Sequence, residues 1–219
     1  MNLNTIIQGD CLEVMKTMPD KSVDLVLTDP PYGIGVDRTM AKQSGTQYGK
    51  AAAPKGNYVA TGWDDCTPSK EVFAEIFRIS KNQIIFGGNY FIENLYSSPC
   101  WIVWDKNNGD NGFADCELAW TSFKSAVRKI KYTWNGMIQE DMKNKEYRFH
   151  PTQKPIELMK WCLDMYSKEG QTILDPFMGS GTTAIAAKEM NRNFTGIEIS
   201  PEYVKIAQDR LSALSEPLF

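Results

Sequence analysis

The segment from Thr28 to Gly33 holds the residues whose types and spacing are best suited to chemistry. It reads Thr-Asp-Pro-Pro-Tyr-Gly and closes the apolar run 23–27, which is typical of a buried strand. Asp29 and the Pro30 carbonyl can accept hydrogen bonds from an amino group on a flat heterocycle, and Tyr32 can stack on its ring. The two consecutive prolines fix the backbone and remove competing N–H donors. The alternative is an ordinary turn that ends an edge strand, since Asp and Pro are common turn residues.

A second candidate site is the glycine-containing turn over residues 175–183. It reads Asp-Pro-Phe-Met-Gly-Ser-Gly-Thr-Thr and joins a short apolar strand to an alanine-rich helix, a geometry that lets the backbone approach a nucleoside closely. The next predicted strand ends at Glu198, about 20 positions past the glycines, where a carboxylate can hold ribose hydroxyls. The turn lacks the Gly-Lys-Ser/Thr of a P-loop, and its two glycines make an incomplete dinucleotide fingerprint. Taken alone, it is equally typical of a turn that begins a helix.

Alternating strands and helices predict the framework that positions both segments. This pattern predicts an α/β fold with a largely parallel sheet and helices on both faces. Four of the predicted strands end at an acidic residue, namely Asp10, Asp29, Asp175 and Glu198. Ligands of such sheets bind outside the carboxyl ends of the strands, so we expect one rim to hold two ligands. For any one of these acids, the alternative is a turn or helix cap.

The middle of the chain predicts a different arrangement. Segments 101–104 and 117–120 are predicted to be antiparallel neighbours, with 126–134 as a third strand beside them, and 89–96 is predicted to be a short helix. Ser69 is predicted to cap the helix that follows it. Residues 33–67 show little apolar periodicity and are too long for an ordinary connection, so they are predicted to form a mobile functional loop.

Composition bounds the class of protein. The chain has 219 residues, of which 42% are hydrophobic, compatible with one α/β domain. No apolar run is long enough to span a membrane, and the N-terminal sequence does not resemble a secretory signal. The five cysteines lack Cys-x-x-Cys spacing and His150 is the only histidine, so we expect no structural metal site. Reduced thiols in a cytoplasm are the simplest interpretation.

The distribution of charge is more informative than the net charge of −3. Between positions 33 and 62, four basic residues accompany one acidic residue, and between positions 124 and 148, seven basic residues accompany three acidic ones. Both segments suit contacts with nucleic-acid phosphates, although solvated surface charge is the alternative for each. Charge alone does not separate DNA from RNA.

Together, these motifs resemble those of the amino-group DNA methyltransferases that use S-adenosylmethionine. The matching catalytic motif is Asp29, Pro30, Pro31 and Tyr32, and the matching cofactor loop, Phe-x-Gly-x-Gly, is Phe177, Gly179 and Gly181. The catalytic motif precedes the cofactor loop, which is the order of the beta type of this family. The resemblance implies a Rossmann-like methyltransferase fold with an antiparallel strand addition.

The resemblance also implies which residues contact the cofactor. Segment 150–155, His-Pro-Thr-Gln-Lys-Pro, resembles the part of the beta type that cradles the methionine of the cofactor, and Asp10 resembles the acid that contacts its adenine. The residues expected to contact S-adenosylmethionine are Asp10, Thr152, Gln153, Lys154, Asp175, Phe177, Gly179, Gly181, Thr182, Thr183 and Glu198. No metal is implied.

The family resemblance implies methyl transfer to the exocyclic amino group of a base flipped out of double-stranded DNA. Asp-Pro-Pro-Tyr accompanies adenine more often than cytosine in the family, so we expect adenine N6, with cytosine N4 as the alternative. A non-catalytic cofactor-binding subunit and an RNA or protein methyltransferase are rival hypotheses. We expect one domain over 1–219 with a small embedded target-recognition region at about 105–149. A homodimer and a cognate restriction nuclease are compatible partners.

Overall fold

A computed structural model of the protein describes residues 2–36, 38–39, 62–109, 114–135, 138–150 and 152–214. Most of the predicted loop 33–67 lies outside the described residues. The prediction that this loop is mobile therefore also falls outside them. In the part of the chain that is described, no helix is both long enough and apolar enough to cross a membrane.

An eight-stranded sheet forms the centre of the described structure. The strands of the chain are β1 (Thr5–Gln8), β2 (Val23–Thr28), β3 (Ser80–Phe86), β4 (Trp101–Asp105), β5 (Cys116–Thr121), β6 (Arg128–Lys131), β7 (Trp134–Asn135), β8 (Ile138–Gln139), β9 (Thr172–Asp175) and β10 (Asn193–Glu198). Their order in the sheet is β1-β10-β9-β2-β3-β5-β4-β6, and β7 pairs with β8 separately. The first five strands are parallel to one another, β5 is antiparallel to β3 and β4, and β6 is parallel to β4.

Helices cover both faces of this sheet. They are α1 (Cys11–Lys16), α2 (Lys70–Ile79), α3 (Ile156–Tyr166), α4 (Thr182–Glu189) and α5 (Pro201–Ala213). Buried side chains of α1 and α2 form one core cluster, which includes Val26 of β2, whereas α3 and α4 contribute to the other, which includes Leu25 and Leu27. Strand β2 is buried on both faces except at Asp24, which is partly exposed, and most of its residues are therefore apolar. The predicted α/β fold, with its parallel sheet and antiparallel addition, is confirmed.

Three local predictions differ from the structure. Segment 89–96 forms two 3-10 turns, Gly88–Tyr90 and Ile92–Asn94, rather than one helix, because the backbone at Phe91 between them is not helical, with φ −122° and ψ 17°. The third strand of the antiparallel region ends at Lys131 instead of Trp134, whose buried indole donates a hydrogen bond to the Gln153 carbonyl and begins β7. Ser69 occupies the N-cap position of α2, but its side chain makes no capping hydrogen bond.

Candidate functional site

The four acidic residues predicted at strand ends lie side by side along one edge of the sheet. Asp10 follows β1, Glu198 ends β10, Asp175 ends β9 and Asp29 follows β2, and these four parallel strands are consecutive neighbours. A direct hydrogen bond joins the two candidate motifs, because the Thr28 hydroxyl donates to Asp175 Oδ1 at 2.7 Å. The structure therefore brings the Asp-Pro-Pro-Tyr segment and the glycine turn together at one rim.

The carboxylate of Asp29 is held by two neighbours. The Tyr32 hydroxyl donates to Oδ1 at 2.6 Å, and Lys154 Nζ lies 2.5 Å from Oδ2. Of the two prolines that separate Asp29 from Tyr32 in the sequence, Pro30 is buried and Pro31 is partly buried. Burial raises the pKa of Asp29, and the charge of Lys154 opposes that rise. Burial, followed by the nearby Asp29 charge, also raises the pKa of Tyr32 well above its usual value, so this phenol stays protonated and donates.

Lys154 belongs to a chain of alternating charges that continues away from Asp29. Its Nζ lies 3.1 Å from Glu117 Oε2 on β5, and the other oxygen of Glu117 pairs with Lys106. Burial alone would raise the pKa of Glu117, but Lys154 and Lys106 outweigh it and hold the pKa below its usual range. The same pairing overcomes the effect of burial on Lys154 and raises the pKa of its ammonium. The four side chains thus form a compact, nearly neutral network behind the candidate catalytic acid.

A second buried acid fixes the backbone of the candidate catalytic motif. Asp64 is 1% exposed, and its Oδ1 accepts hydrogen bonds from the Tyr32 and Gly33 amides at 2.7 and 2.9 Å. Its Oδ2 accepts from the Val36 amide at 2.8 Å. This carboxylate therefore takes up the N–H groups that turn the chain away from β2, and it sets the position of the Tyr32 ring.

The ring of Tyr32 already has aromatic neighbours. Tyr90 stacks on it with a centroid distance of 4.7 Å and an interplanar angle of 15°, and Phe91 approaches edge-on at 6.0 Å. Gly87 lies so close that a Cβ built on it would come within 2.2 Å of Tyr32 Cε1. A side chain at position 87 would therefore collide with this ring.

The glycine turn is tied to Glu198 at the end of β10. The Gly179 amide donates to Glu198 Oε2 and the Ser200 amide to Oε1, each at 2.8 Å. Burial raises the pKa of Glu198, and these backbone donors oppose the rise. Gly179 has a φ of +52°, and a Cβ built on it would meet no atom within 4 Å. The turn therefore exposes backbone to open space beside a carboxylate.

Other residues of the predicted cofactor set make internal contacts. The Asp175 carboxylate accepts hydrogen bonds from the Thr28 and Thr183 hydroxyls at 2.7 Å each, and burial raises its pKa to about 6. Gly181 faces α5, because a Cβ built on it would lie 2.8 Å from Ala207 Cβ. In this structure Asp175 joins β2, β9 and α4, and Gly181 allows two helices to approach. Thr182, beside them, is 7% exposed.

The segment before α3 lies between the two motifs. Gln153 Oε1 accepts hydrogen bonds from the Ser180 hydroxyl of the glycine turn and from the Phe149 amide, both at 3.0 Å. The ring of His150 packs between those of Trp63 and Tyr203, with centroid distances of 5.0 and 4.8 Å, and its Nδ1 bonds to Thr152. Burial lowers the pKa of His150 to about 4. Lys154, near the end of this segment, forms the ion pair with Asp29.

The acid that caps α1 completes the rim. Asp10 Oδ1 accepts hydrogen bonds from the Leu12 and Glu13 amides at 2.9 and 3.1 Å. The Gly9 amide donates to the Glu198 carbonyl at 3.0 Å, so the ends of β1 and β10 are held together. The Ile199 side chain beside them is 67% exposed. Acidic groups, exposed apolar surface and open backbone are the chemistry that suits a nucleoside cofactor, and this rim offers all three.

The structure describes the two basic segments to different extents. The segment near residue 38 falls mostly outside the described residues. In the second segment, β6 is the edge strand of the sheet and exposes Arg128, Lys129 and Lys131, although Lys129 pairs with Asp105 at 2.8 Å. Within the residues described, no cluster of histidine, cysteine and acidic side chains is arranged to bind a metal ion.

Sequence reasoning missed three residues of the site. Glu117 lies on β5 beside β3, and Lys106 follows β4, which pairs with β5. Asp64 contacts Tyr32 from 32 positions along the chain. For Asp64 the sequence holds no signal, because an acid that follows a tryptophan in a polar segment does not by itself indicate burial. For Glu117, no local pattern indicates the ion pairs, since a single acid between Cys116 and Leu118 does not identify its partners.

Comparison with known proteins agrees with the fold. A family model described as DNA methylase matches residues 96–209, which is more than half of the chain. The chain is 28% identical to the type II methyltransferase M.HinfI of Haemophilus influenzae, over 95% of this chain and 68% of that protein. It is 26% identical to M1.HpyAVI, solved with S-adenosylmethionine, with a TM-score of 0.55 over 94% of this chain and 98% of that one.

A further solved structure shares the fold. The cytosine-N4-specific PvuII DNA methyltransferase is 17% identical, with a TM-score of 0.60 over 94% of this chain and 85% of that one. The fold and the site define an α/β protein with the methyltransferase architecture. The chain belongs to the N6/N4 family of DNA methylases.

Proposed function

We propose that this protein transfers a methyl group from S-adenosylmethionine to the N6 amino group of adenine in DNA. S-adenosylmethionine is the cofactor, and the acceptor is an exocyclic amino group. The observation that carries the proposal is the 2.7 Å hydrogen bond between Thr28 and Asp175, which places the candidate catalytic segment and the glycine turn on adjacent strands. One crevice at the rim can then hold both the cofactor and the target base.

The cofactor, when bound, supplies an electrophilic methyl group and a good leaving group. Gly179 and Glu198 suit its nucleoside part, because open backbone and a carboxylate meet there. Gln153 and Lys154 lie between that position and Asp29, where the remainder of the cofactor would extend. Asp10 would contribute at the adenine end of the rim. Asp175 and Gly181 would then fix the conformation of the cofactor loop, through the hydrogen bonds of Asp175 to Thr28 and Thr183 and the close approach of Gly181 to Ala207.

Asp29 would act on the amino group of the base. The lone pair of this nitrogen is delocalised into the ring, so the amino group is a poor nucleophile. Hydrogen bonds to Asp29 and to the Pro30 carbonyl would draw the nitrogen towards tetrahedral geometry and free its lone pair. Asp29 also stabilises the positive charge that develops on nitrogen during attack, and it can accept the proton that the methylated nitrogen releases. Positioning supplies most of the remaining rate enhancement.

The target base must leave the duplex to reach this site. The amino group inside a base pair is inaccessible, and flipping places the base in a pocket where aromatic rings can stack on it. Tyr32 is the ring that adjoins Asp29. Replacing Tyr32 by Ala should therefore weaken capture of the base more than binding of the cofactor.

Adenine is favoured over cytosine by the acid at position 29. Within the family, aspartate in this motif accompanies adenine more often than cytosine. M.HinfI supports a DNA-modifying role, as a type II methyltransferase, and PvuII represents the cytosine-N4 alternative on the same fold. The homodimer, the partner nuclease and the cytoplasmic location stay predictions.

Mass spectrometry of DNA nucleosides tests the proposal. The protein is incubated with S-adenosylmethionine and unmethylated DNA, and N6-methyldeoxyadenosine is the expected product. Asp29→Ala should bind the cofactor with unchanged affinity by calorimetry and form no product. N4-methyldeoxycytidine from the wild type would establish the alternative base, and cofactor binding without any methylated base would indicate a non-catalytic subunit. Near-normal turnover by Asp29→Ala would refute the role of this acid.

A further inference from the structure

We infer that the ring of Tyr90 occupies the subsite of the flipped base, and that the base enters by exchanging with this ring. The inference rests on the proposed function, because it assigns the position of the base at that same site. It begins from the stacking of Tyr90 on Tyr32, at 4.7 Å between centroids and 15° between planes. A base that stacks on Tyr32 would adopt the same kind of arrangement.

The remaining surroundings of Tyr32 are closed to a base. Gly87 packs against one side of the ring so closely that it has no room for a Cβ, and Phe91 meets the ring edge-on at 66°. The hydroxyl end is occupied by Asp29 and Lys154, at 2.6 and 3.4 Å. The ring face under Tyr90 is therefore the one from which a planar ligand can be admitted.

The chemistry places the base in the layer that Tyr90 now fills. The amino group must reach the Asp29 carboxylate, which lies beside Tyr32 and accepts a hydrogen bond from its hydroxyl at 2.6 Å. A base stacked on the outer face of Tyr90 would lie a full ring layer farther from Asp29. Because a hydrogen bond requires about 3 Å between heavy atoms, a base in that outer layer cannot be activated there.

Tyr90 is built to move without opening the core. Tyr90 is 45% exposed and ends the 3-10 turn Gly88–Tyr90. This turn begins after Gly87, which has the left-handed conformation with a φ of +69°. The next residue, Phe91, is 1% exposed and anchors the chain. When Tyr90 moves away, its stacking contact with Tyr32 is lost. An incoming base that stacks on Tyr32 compensates for this loss.

The exchange is tested with duplex DNA that carries 2-aminopurine at the methylated position found by product sequencing. Base flipping is followed by 2-aminopurine fluorescence, and affinity by titration with S-adenosylhomocysteine present. Tyr90→Ala removes the competing ring, so we expect tighter capture by roughly two- to tenfold, the range of one aromatic pair. Tyr90→Phe keeps a stacking ring and should behave as the wild type. Ile92→Ala is the matched control, because Ile92 is 65% exposed in the neighbouring turn.

The outcomes separate this inference from the proposed function. Weaker capture by Tyr90→Ala would overturn the exchange, since Tyr90 would then be a wall of the occupied pocket. Unchanged capture would overturn it too, because no competition would exist. Thermal unfolding of each variant shows whether a loss of capture is caused by misfolding. If Tyr90→Ala misfolds, Tyr90→Trp replaces it as the test. The larger ring of tryptophan should compete more strongly with the base and weaken its capture, and unchanged or tighter capture by Tyr90→Trp would overturn the exchange. A wild type that methylates no DNA would instead contradict the proposed function.

Discussion

Replacing Lys154 by Met removes the cation that contacts both Asp29 and Glu117. Methionine keeps much of the lysine stem but not its charge, so packing is largely retained. Glu117 would keep Lys106 as a partner, whereas Asp29 would keep only the neutral Tyr32 hydroxyl. The substitution therefore destabilises the ionised form of Asp29 more than that of Glu117. The Asp29 side chain is only 20% exposed, so water replaces the lost partner only in part.

The magnitude follows from the burial of the pair. Leaving one charge of a buried pair without its partner costs about 3–5 kcal/mol. Asp29 can reduce this cost by binding a proton, because removal of Lys154 adds to the rise in its pKa that burial causes. A raised carboxyl pKa favours the folded state at low pH and loses that benefit as pH rises through it. We expect Lys154→Met to lose more free energy of unfolding at pH 8 than at pH 6.

The same rise in the pKa of Asp29 should also change the pH dependence of activity. Because ionised Asp29 is the active form, the acid limb of the kcat–pH profile should move to higher pH in Lys154→Met. Urea unfolding at the two pH values and kcat between pH 5 and 9 measure both effects, and cofactor affinity by calorimetry separates binding from turnover. Lys106→Met is the matched control, since it contacts Glu117 but not Asp29. An unshifted acid limb in Lys154→Met would refute the coupling.

Three further substitutions or measurements address the rest of the site. Asp64→Ala leaves three amide donors without their acceptor, so we expect a loss of about 3 kcal/mol in free energy of unfolding and a lower kcat; wild-type stability in urea would contradict this. His150, the only histidine, should titrate by NMR near pH 4, and since its neutral form is favoured in the fold, this contribution to stability is complete above pH 6.5 and is lost as pH falls towards 4. A midpoint near 6.5 would show that the ring is solvated. Gly179→Val strains a backbone at positive φ and fills the open space beside Glu198, so cofactor affinity should fall by at least about tenfold; unchanged calorimetric binding would refute the assignment.

The sequence predicted the parallel half of the sheet well, because its signals are local. Short segments rich in β-branched and apolar residues, each followed by or ending in an acid, identify β2, β9 and β10, and the parallel topology then places Asp29, Asp175 and Glu198 at one edge. The same signals could not assign roles within the rim. Asp175 and Gly181 belong to the expected motif, yet their contacts here are with Thr28 and Ala207.

Contacts between distant segments account for what the sequence did not predict. Lys154 was expected beside the cofactor methionine, and its ion pair with Asp29 spans 125 positions. Glu117 and Asp64 depend on which strands and loops become neighbours, and no periodicity encodes that. The prediction of one helix over 89–96 is wrong because the backbone at Phe91 leaves the helical conformation and divides the segment into two 3-10 turns, which no residue pattern there indicates.

A co-crystal structure with S-adenosylhomocysteine and a duplex containing the mapped target site tests the central claim most directly. The nucleoside should lie along the rim between Asp10 and Glu198, with the sulfur directed towards Asp29. The amino group of a flipped adenine should lie within hydrogen-bonding distance of Asp29 and the Pro30 carbonyl. A cofactor bound elsewhere, or a base whose amino group lies remote from Asp29, would contradict the account.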